Sequence, residues 1–184
     1  MIASAHPFEL ADVALRDGRT VAVRPARAGD RAGVRAFLEG ICAESLSLRF
    51  FGSPNLDQAA DLMVGDTYGD TSSLIVLGGR PAKVVAHAGY VRIDAGRAEV
   101  AFLVADAWQG LGIAPILLAR LMARAETEGI GRLLAEVLPR NHRMLAMFER
   151  TGRARVRHAD RDGIEVEIAV RAPAAGLAAG TSRR

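Results

Sequence analysis

The stretch that most constrains the fold runs from residue 98 to residue 128 and reads AEVAFLVADAWQGLGIAPILLARLMARAETE. Its first part places Val100, Phe102 and Val104 on one face, and this period of two predicts a strand. Its last part, over residues 113–125, repeats large apolar side chains at the helical period. The stretch therefore predicts a strand and a long helix that are joined by a short glycine-rich turn.

The turn between these two elements has the composition of an anion site. It opens directly into the helix and consists of Gln109, Gly110, Leu111, Gly112, Ile113 and Ala114. The first N–H groups of a helix have no acceptor within the helix, and the helix dipole adds positive potential there. We therefore expect a phosphate or pyrophosphate group to bind at this turn.

The rest of the sequence predicts an α/β domain built on one mixed sheet. A strand pair about Asp17-Gly18 precedes three helical patterns and two longer strands, and a strand, a helix and a final hairpin follow the 98–128 stretch. This order places antiparallel meanders on both sides of a single strand–helix–strand crossover, whose two strands are parallel. We expect a central, mostly antiparallel sheet with helices on both faces.

Length and composition indicate a single globular domain. The chain has 184 residues, of which half are hydrophobic and 24% are charged. We expect the domain to span residues 13–171, with flexible termini at residues 1–12 and 172–184, because the termini hold few groups to bury. The sequence shows neither a signal peptide nor an apolar segment of membrane length, so a cytoplasmic protein without a membrane partner is expected.

The charged residues, the cysteine and the histidines exclude several classes of function. The net charge is only +3, the arginines are scattered and Lys83 is the only lysine, so no nucleic-acid partner is expected. Cys42 is the only cysteine, which excludes a disulfide framework, and we expect it to be buried in a helix. Because His87, His142 and His158 have no metal-ligand spacing within one element, no metal site is predicted.

The turn and its surroundings resemble a known family. Gln109-x-x-Gly112-x-Ala114 is similar to the pyrophosphate loop of the GNAT superfamily of N-acetyltransferases, and Asn141-x-x-Met144 on a following helix resembles the second motif of that family. Three pieces resemble, more narrowly, the bacterial protein lysine acetyltransferases that modify acyl-CoA synthetases. They are LRDGRTVAVRPARAGD, SLRFF, and AEVAFLVADAWQGLGIA with EVLPRNHRML downstream. Some of those proteins also carry a cyclic-nucleotide-binding or other regulatory domain, which is not expected here.

The resemblance implies that acetyl-CoA is the acyl donor. The N–H groups of the turn at residues 109–114 would hold its pyrophosphate. The strand before the turn would splay from the strand at residues 133–138, which gives the GNAT fold its splayed parallel pair. The pantetheine arm of the donor would fill the gap and bind the backbone of Phe102, Leu103 and Val104, as an added strand does.

Glu99 is the residue to which the resemblance assigns catalysis. A lysine ε-amine has a reference pKa of about 10.4, so the attacking amine must first lose a proton. In its AEVAF context, Glu99 matches the glutamate that acts as general base in the family. Two alternatives stay open, because Glu99 could be an ordinary exposed carboxylate at the end of a strand, and Glu136 on the neighbouring strand is a second candidate base.

Three further residues bear on how the donor would bind and react. Asn141 would bind the pantetheine arm or a bridging water, or it would cap its helix, or both. Pro115 departs from the family pattern and has no N–H, so one phosphate contact would be missing. Phe148 stands where many members have a tyrosine that acts as general acid. It would form a wall of the donor channel, and the thiolate would leave unaided or take a proton from water.

The function implied by the resemblance is acetyl transfer from acetyl-CoA to the ε-amine of a protein lysine, with an acyl-CoA synthetase as the protein partner. Two other functions stay open on the sequence. The same fold could acetylate a small amine, for which a deep acidic pocket would be expected. It could also bind acyl-CoA as a sensor without turnover, which Phe148 and Pro115 favour and Glu99 disfavours.

Overall fold

The computed structural model of the protein describes residues 10–65 and 70–171. Its strands are β1 (Ala11–Ala14), β2 (Thr20–Pro25), β3 (Thr71–Gly78), β4 (Lys83–Arg92), β5 (Arg97–Val104), β6 (Arg132–Val137), β7 (Ala154–Ala159) and β8 (Ile164–Ala169). Its helices are α1 (Arg31–Glu39), α2 (Ala43–Phe50), α3 (Leu56–Met63), α4 (Ile113–Thr127) and α5 (His142–Glu149). Short 3-10 turns at Ala28–Asp30 and Asp106–Trp108 precede α1 and the glycine-rich turn.

All of the described strands belong to one sheet, in the order β1-β2-β3-β4-β5-β6-β8-β7. β5 and β6 are parallel, and every other neighbouring pair is antiparallel. The crossover between β5 and β6 runs through α4, as a parallel connection requires. The mixed α/β fold and the single parallel crossover predicted from the sequence are therefore confirmed.

The parallel pair is short, and this shapes the centre of the sheet. β5 and β6 pair only over Arg97↔Arg132, Ala98↔Leu133 and Glu99↔Leu134. On its other side β5 pairs with β4 as far as Val104. From residue 100 onward, the β5 edge that faces β6 therefore has no strand partner, and the sheet opens immediately after Glu99.

Alternation along the central strands divides the core between the two faces of the sheet. In β5, Val100 and Phe102 belong to the core cluster that contains α4 and α5, whereas Leu103 belongs to the cluster that contains α1 and α3. In β3, Val76 and Ile75 divide in the same way. The period of two thus places helices on both faces, which confirms that part of the prediction.

The boundaries of the fold differ from the prediction at the N-terminal end. Ala11 and Asp12, which the sequence assigns to a flexible terminus, pair with Val23 and Ala22 in the sheet. The remaining predicted flexible residues, 1–9 and 172–184, lie outside the described part of the chain. Within the described ranges, no helix has both the length and the apolar character needed to cross a membrane.

His87 is a buried polar side chain in β4, beside Ile75 and Leu103. Its Nε2 lies 2.6 Å from the Ser73 hydroxyl oxygen and 3.0 Å from the Met63 carbonyl oxygen. The Ser73 hydroxyl donates to the same carbonyl, so the proton of the neutral ring is inferred to lie on Nε2. The buried Nδ1 has no hydrogen-bond partner in the described chain, and a second ring proton would therefore lack an acceptor.

Burial, together with the nearby charge of Arg49, lowers the pKa of His87 to about 3. The unfolded chain takes up a proton at this side chain near pH 6.5, whereas the folded protein does not. The stability that His87 contributes is therefore complete above pH 6.5 and is lost as the pH falls toward 3. This one group is expected to lower the free energy of unfolding by about 2 kcal/mol between pH 7 and pH 5.

Urea unfolding of the wild type and of His87→Asn at pH 7 and pH 5 would measure this contribution. The variant is expected to lose less stability between the two pH values, by about 2 kcal/mol, since it has no titrating ring. His142→Asn, which changes an exposed histidine, is the matched control and is expected to follow the wild type. If the wild type and His87→Asn lost the same free energy of unfolding between pH 7 and pH 5, His87 would not be the source of the acid sensitivity.

Candidate active site

A cleft of about 940 Å³ opens where β5 and β6 separate. One wall is the free edge of β5, and the floor at one end is the glycine-rich turn that leads into α4. The segment that contains α5 forms the opposite wall, and α2 lies over the top. The cleft therefore runs from the turn toward the point where the two strands still pair.

Most residues predicted to hold the donor meet in this cleft. Those that line it are Phe102, Leu103, Val104, Gln109, Gly110, Gly112, Ile113, Ala114 and Asn141. Leu111 does not line the cleft; it packs against the core and its carbonyl faces the Arg16 N–H. Phe148 is only 1% exposed and lies behind the lining, where its ring packs edge-on against Phe102 at 6.0 Å between centroids.

The turn has the backbone geometry of an anion site. Gly110 and Gly112 have φ values of 79° and 92°, in the left-handed region that favours glycine. The Ile116 N–H already bonds the Gly112 carbonyl, and Pro115 has no N–H. The N–H groups of Ile113 and Ala114 are thus the donors that the first turn of α4 offers to a ligand.

Gln109 stabilises the turn through its side chain. Its Nε2 lies 3.2 Å from the Val104 carbonyl, from the Ser45 hydroxyl and from Asp106 Oδ1. Its Oε1 accepts a 2.8 Å hydrogen bond from Arg143 on α5. One amide therefore connects the end of β5, α2 and α5 around the cleft.

Asp106 fixes the beginning of α2 against the turn. Its carboxylate accepts hydrogen bonds from the Cys42 N–H at 2.9 Å, the Ser45 hydroxyl at 2.6 Å and the Cys42 thiol at 3.3 Å. Burial raises the pKa of Asp106, but the bonds from Ser45 and Cys42 outweigh it, and the pKa lies below its ordinary value. The prediction of a buried Cys42 is wrong, because the residue caps α2 at the rim of the cleft and is exposed.

Five arginines line the cleft, and the sequence assigns a role in donor binding to none of them: Arg16, Arg49, Arg140, Arg143 and Arg150. Arg16 and Arg49 lie far along the chain from the other three, so no local pattern brings the five together. Arg143 on α5 and Arg150, which directly follows α5, are seven residues or about two helical turns apart, and this spacing places them on a common face. Together they give the cleft a positive lining that suits the phosphates of a nucleotide-type donor.

The two candidate bases occupy different positions. Glu99 is exposed and is the last β5 residue that pairs with β6, so it lies at the mouth of the opening. Glu136 is exposed on β6, and its Oε1 lies 3.1 Å from the point where a Gly163 Cβ would be, so it extends toward β8. Neither side chain lines the cleft itself, and Glu99 is the carboxylate that adjoins the β5 edge.

A model of the acetyltransferase (GNAT) family matches residues 43–152, which include α2, β5, the turn, α4 and α5. The chain therefore belongs to the GNAT acetyltransferase family. Members of this family use acetyl-CoA as the donor, and the residues of the cleft fit that molecule. The turn and the arginines suit its phosphates, and the free β5 edge suits the amides of its pantetheine arm.

Individual relatives narrow the comparison. The chain is 32% identical over 151 residues to acetyltransferase Pat of Mycolicibacterium smegmatis, an alignment that covers 79% of this chain and 44% of that protein. The structure of the GNAT domain of S. lividans PAT is 34% identical, with a TM-score of 0.80, and the match covers 90% of this chain and 98% of that domain.

A cAMP-binding acyltransferase from Mycobacterium smegmatis is 28% identical with a TM-score of 0.62, over 91% of this chain and 49% of that protein. The chain thus spans about half or less of the length of the two mycobacterial proteins, whereas it matches almost all of the S. lividans domain. The similarity to the GNAT family that the sequence motifs indicate is confirmed.

Arg16 and Arg150 are expected to contribute directly to donor affinity. Neither side chain forms a hydrogen bond or ion pair with another residue of the described segments, and Arg16 lies close to Gly112 at the start of α4. Arg16→Gln and Arg150→Gln are each expected to raise the Kd for acetyl-CoA about tenfold at low salt, and less at high salt.

Isothermal titration with acetyl-CoA at two salt concentrations measures both effects. Arg161→Gln is the control, since the Arg161 side chain is 92% exposed on the β7–β8 hairpin. A Kd within twofold of the wild-type value in both cleft variants would show that these arginines do not face the phosphates.

Proposed function

We propose that this chain transfers the acetyl group of acetyl-CoA to the ε-amine of a protein lysine, by direct attack in a ternary complex with Glu99 as the general base. The observation that carries the proposal is the position of Glu99. It is the last residue of β5 before the sheet opens, so the carboxylate borders the gap in which the pantetheine arm pairs with the free strand edge.

The chemistry follows from this arrangement. Glu99 takes a proton from the lysine ammonium, directly or through a water molecule, and the neutral amine attacks the thioester carbonyl carbon. A backbone N–H of the free β5 edge supports the oxyanion. The thiolate then leaves. The buried ring of Phe148 has no proton to give, so the thiolate is protonated from solvent, which the ordinary pKa of an alkyl thiol, above neutral pH, allows.

The exposure of Glu99 supports a protein acceptor over a small amine. A small cationic acceptor is best held in a deep acidic pocket, whereas Glu99 lies on the open surface and outside the cleft lining. A lysine on a protein can approach such a site from solvent. The similarity to acetyltransferase Pat and to the S. lividans PAT domain adds support, and an acyl-CoA synthetase is the acceptor that we propose.

Replacement of the proposed base is the direct test. Glu99→Gln is expected to bind acetyl-CoA with unchanged affinity and to lower kcat by a factor of about 100 to 1,000, since only proton removal is lost. The assay follows free CoA and the acetylation of a purified acyl-CoA synthetase, and titration calorimetry follows donor binding.

Glu136→Gln is the matched control on the adjacent strand, and it is expected to turn over normally. If Glu99→Gln turned over normally and Glu136→Gln lost turnover, the general base would be Glu136 and not Glu99. Tight donor binding by the wild type with no acceptor labelled would favour a sensor that binds acyl-CoA without turnover.

A further inference from the structure

α2 connects the donor turn to the reacting end of the cleft. At its first residues, the Cys42 N–H and the Ser45 hydroxyl bind Asp106 beside the turn. At its last turn, Arg49 lies within electrostatic range of Glu99. A helix rises 1.5 Å per residue, so Cys42 and Arg49 are roughly 10 Å apart along the cleft, and Arg49 lies at the end where the thioester is expected.

Arg49 is a cation that no described acid neutralises by contact. Its side chain lines the cleft, and its Nε is enclosed without a hydrogen-bond partner among the described residues. No carboxylate in the described segments lies within ion-pair distance of it. The guanidinium packs over the Phe50 ring at 4.7 Å. Burial lowers the pKa of Arg49, and the charge of Glu99 only partly opposes this.

An enclosed N–H donor without an acceptor reduces the stability of the resting protein. The same donor, already desolvated and fixed by the Phe50 ring, gives strong stabilisation when negative charge forms beside it, because no reorganisation is needed at that moment. In acetyl transfer, negative charge forms on the thioester oxygen. This oxygen is the anionic centre that the end of the cleft near Glu99 is expected to hold.

We propose that Arg49 is a catalytic residue whose guanidinium donates to the thioester oxygen of the donor and stabilises the oxyanion that forms there. The proposal rests on the proposed function and adds a side-chain cation to the backbone N–H of β5. His87 and Glu99 lie on one face of the sheet, because His87 pairs with Leu103 and Glu99 precedes Leu103 by four residues on β5. Arg49 is close enough to both for its charge to act on them. The neutral state of His87 leaves the effect of Arg49 on the oxyanion undiminished.

The electrons and protons in this step balance. The amine nitrogen donates its lone pair to the carbonyl carbon, and the C=O electron pair moves to the oxygen that Arg49 binds. When the C=O bond re-forms, the C–S bond breaks and its electron pair leaves on the CoA sulfur. Glu99 takes one proton from the lysine ammonium before the attack. The nitrogen of the intermediate then loses its second proton to solvent, and the departing thiolate takes a proton from solvent. Arg49 keeps its own protons throughout.

Kinetics of two substitutions provide the first test. Arg49→Gln is expected to lower kcat about 100-fold while the Kd for acetyl-CoA stays within threefold. Arg49→Lys keeps the charge but not the planar donor, and its kcat is expected to fall less than that of Arg49→Gln. Arg31→Gln, which removes an arginine of α1 outside the cleft, is the matched control and is expected to retain wild-type kcat and melting temperature.

Binding of unreactive analogues provides a second test that needs no turnover. S-carboxymethyl-CoA carries an anionic oxygen near the position of the thioester oxygen, and S-carbamoylmethyl-CoA is its neutral counterpart of equal size. The wild type is expected to bind the anionic analogue about tenfold more tightly than the neutral one. Arg49→Gln is expected to abolish that preference without weakening the binding of CoA itself.

Several outcomes would overturn the proposal. Equal analogue preference in the wild type and Arg49→Gln would show that Arg49 does not face the acyl carbonyl. If Arg49→Gln raised only the KM for the acceptor and left kcat unchanged, Arg49 would be an acceptor-binding residue. A wild type that transfers succinyl groups faster than acetyl groups, with the order reversed in Arg49→Gln, would mean that Arg49 recognises an acyl carboxylate. If the wild type acetylates nothing, the proposed function fails, and the analogue measurement still decides the position of Arg49.

Discussion

The early end of the pairing between β5 and β6 is the constraint on which the rest of the structure depends. A sheet interior normally satisfies the backbone groups of both strand edges, and here one edge of β5 is left open in the middle of the sheet. The opening creates the cleft and places the exposed Glu99 at its mouth. Because β4 still pairs along the whole of β5, the free edge stays straight enough to bind an extended amide chain.

The walls of the cleft are then held by side chains rather than by further strands. Gln109 and Asp106 follow β5 directly, and their bonds bring α2 over the opening and α5 against its far side. The same bonds orient α2 so that its last turn reaches the region of Glu99. The segment proposed to bind the donor thus also determines where Arg49 lies relative to Glu99.

Local patterns explain what could be predicted from the sequence. The alternation in β5, the two glycines of the turn and the helical period of α4 are properties of neighbouring residues. They predict the crossover, which the structure confirms, and the turn that we propose for the donor. Cys42 was expected to be buried, but its environment depends on Asp106, which lies far along the chain. Arg16 and Arg49 lie in segments that carry the resemblance, but the sequence does not place them together, since only tertiary packing brings them into one cleft.

Under the proposed function, the position of Lys83 determines whether the chain can acetylate itself. This residue, the only lysine of the chain, begins β4 and is exposed, whereas Val91 near the other end of β4 pairs with Glu99. Eight residues of strand separate the two positions by roughly 25 Å. A lysine side chain cannot cross that distance, so the proposed site at Glu99 cannot acetylate Lys83 of the same chain.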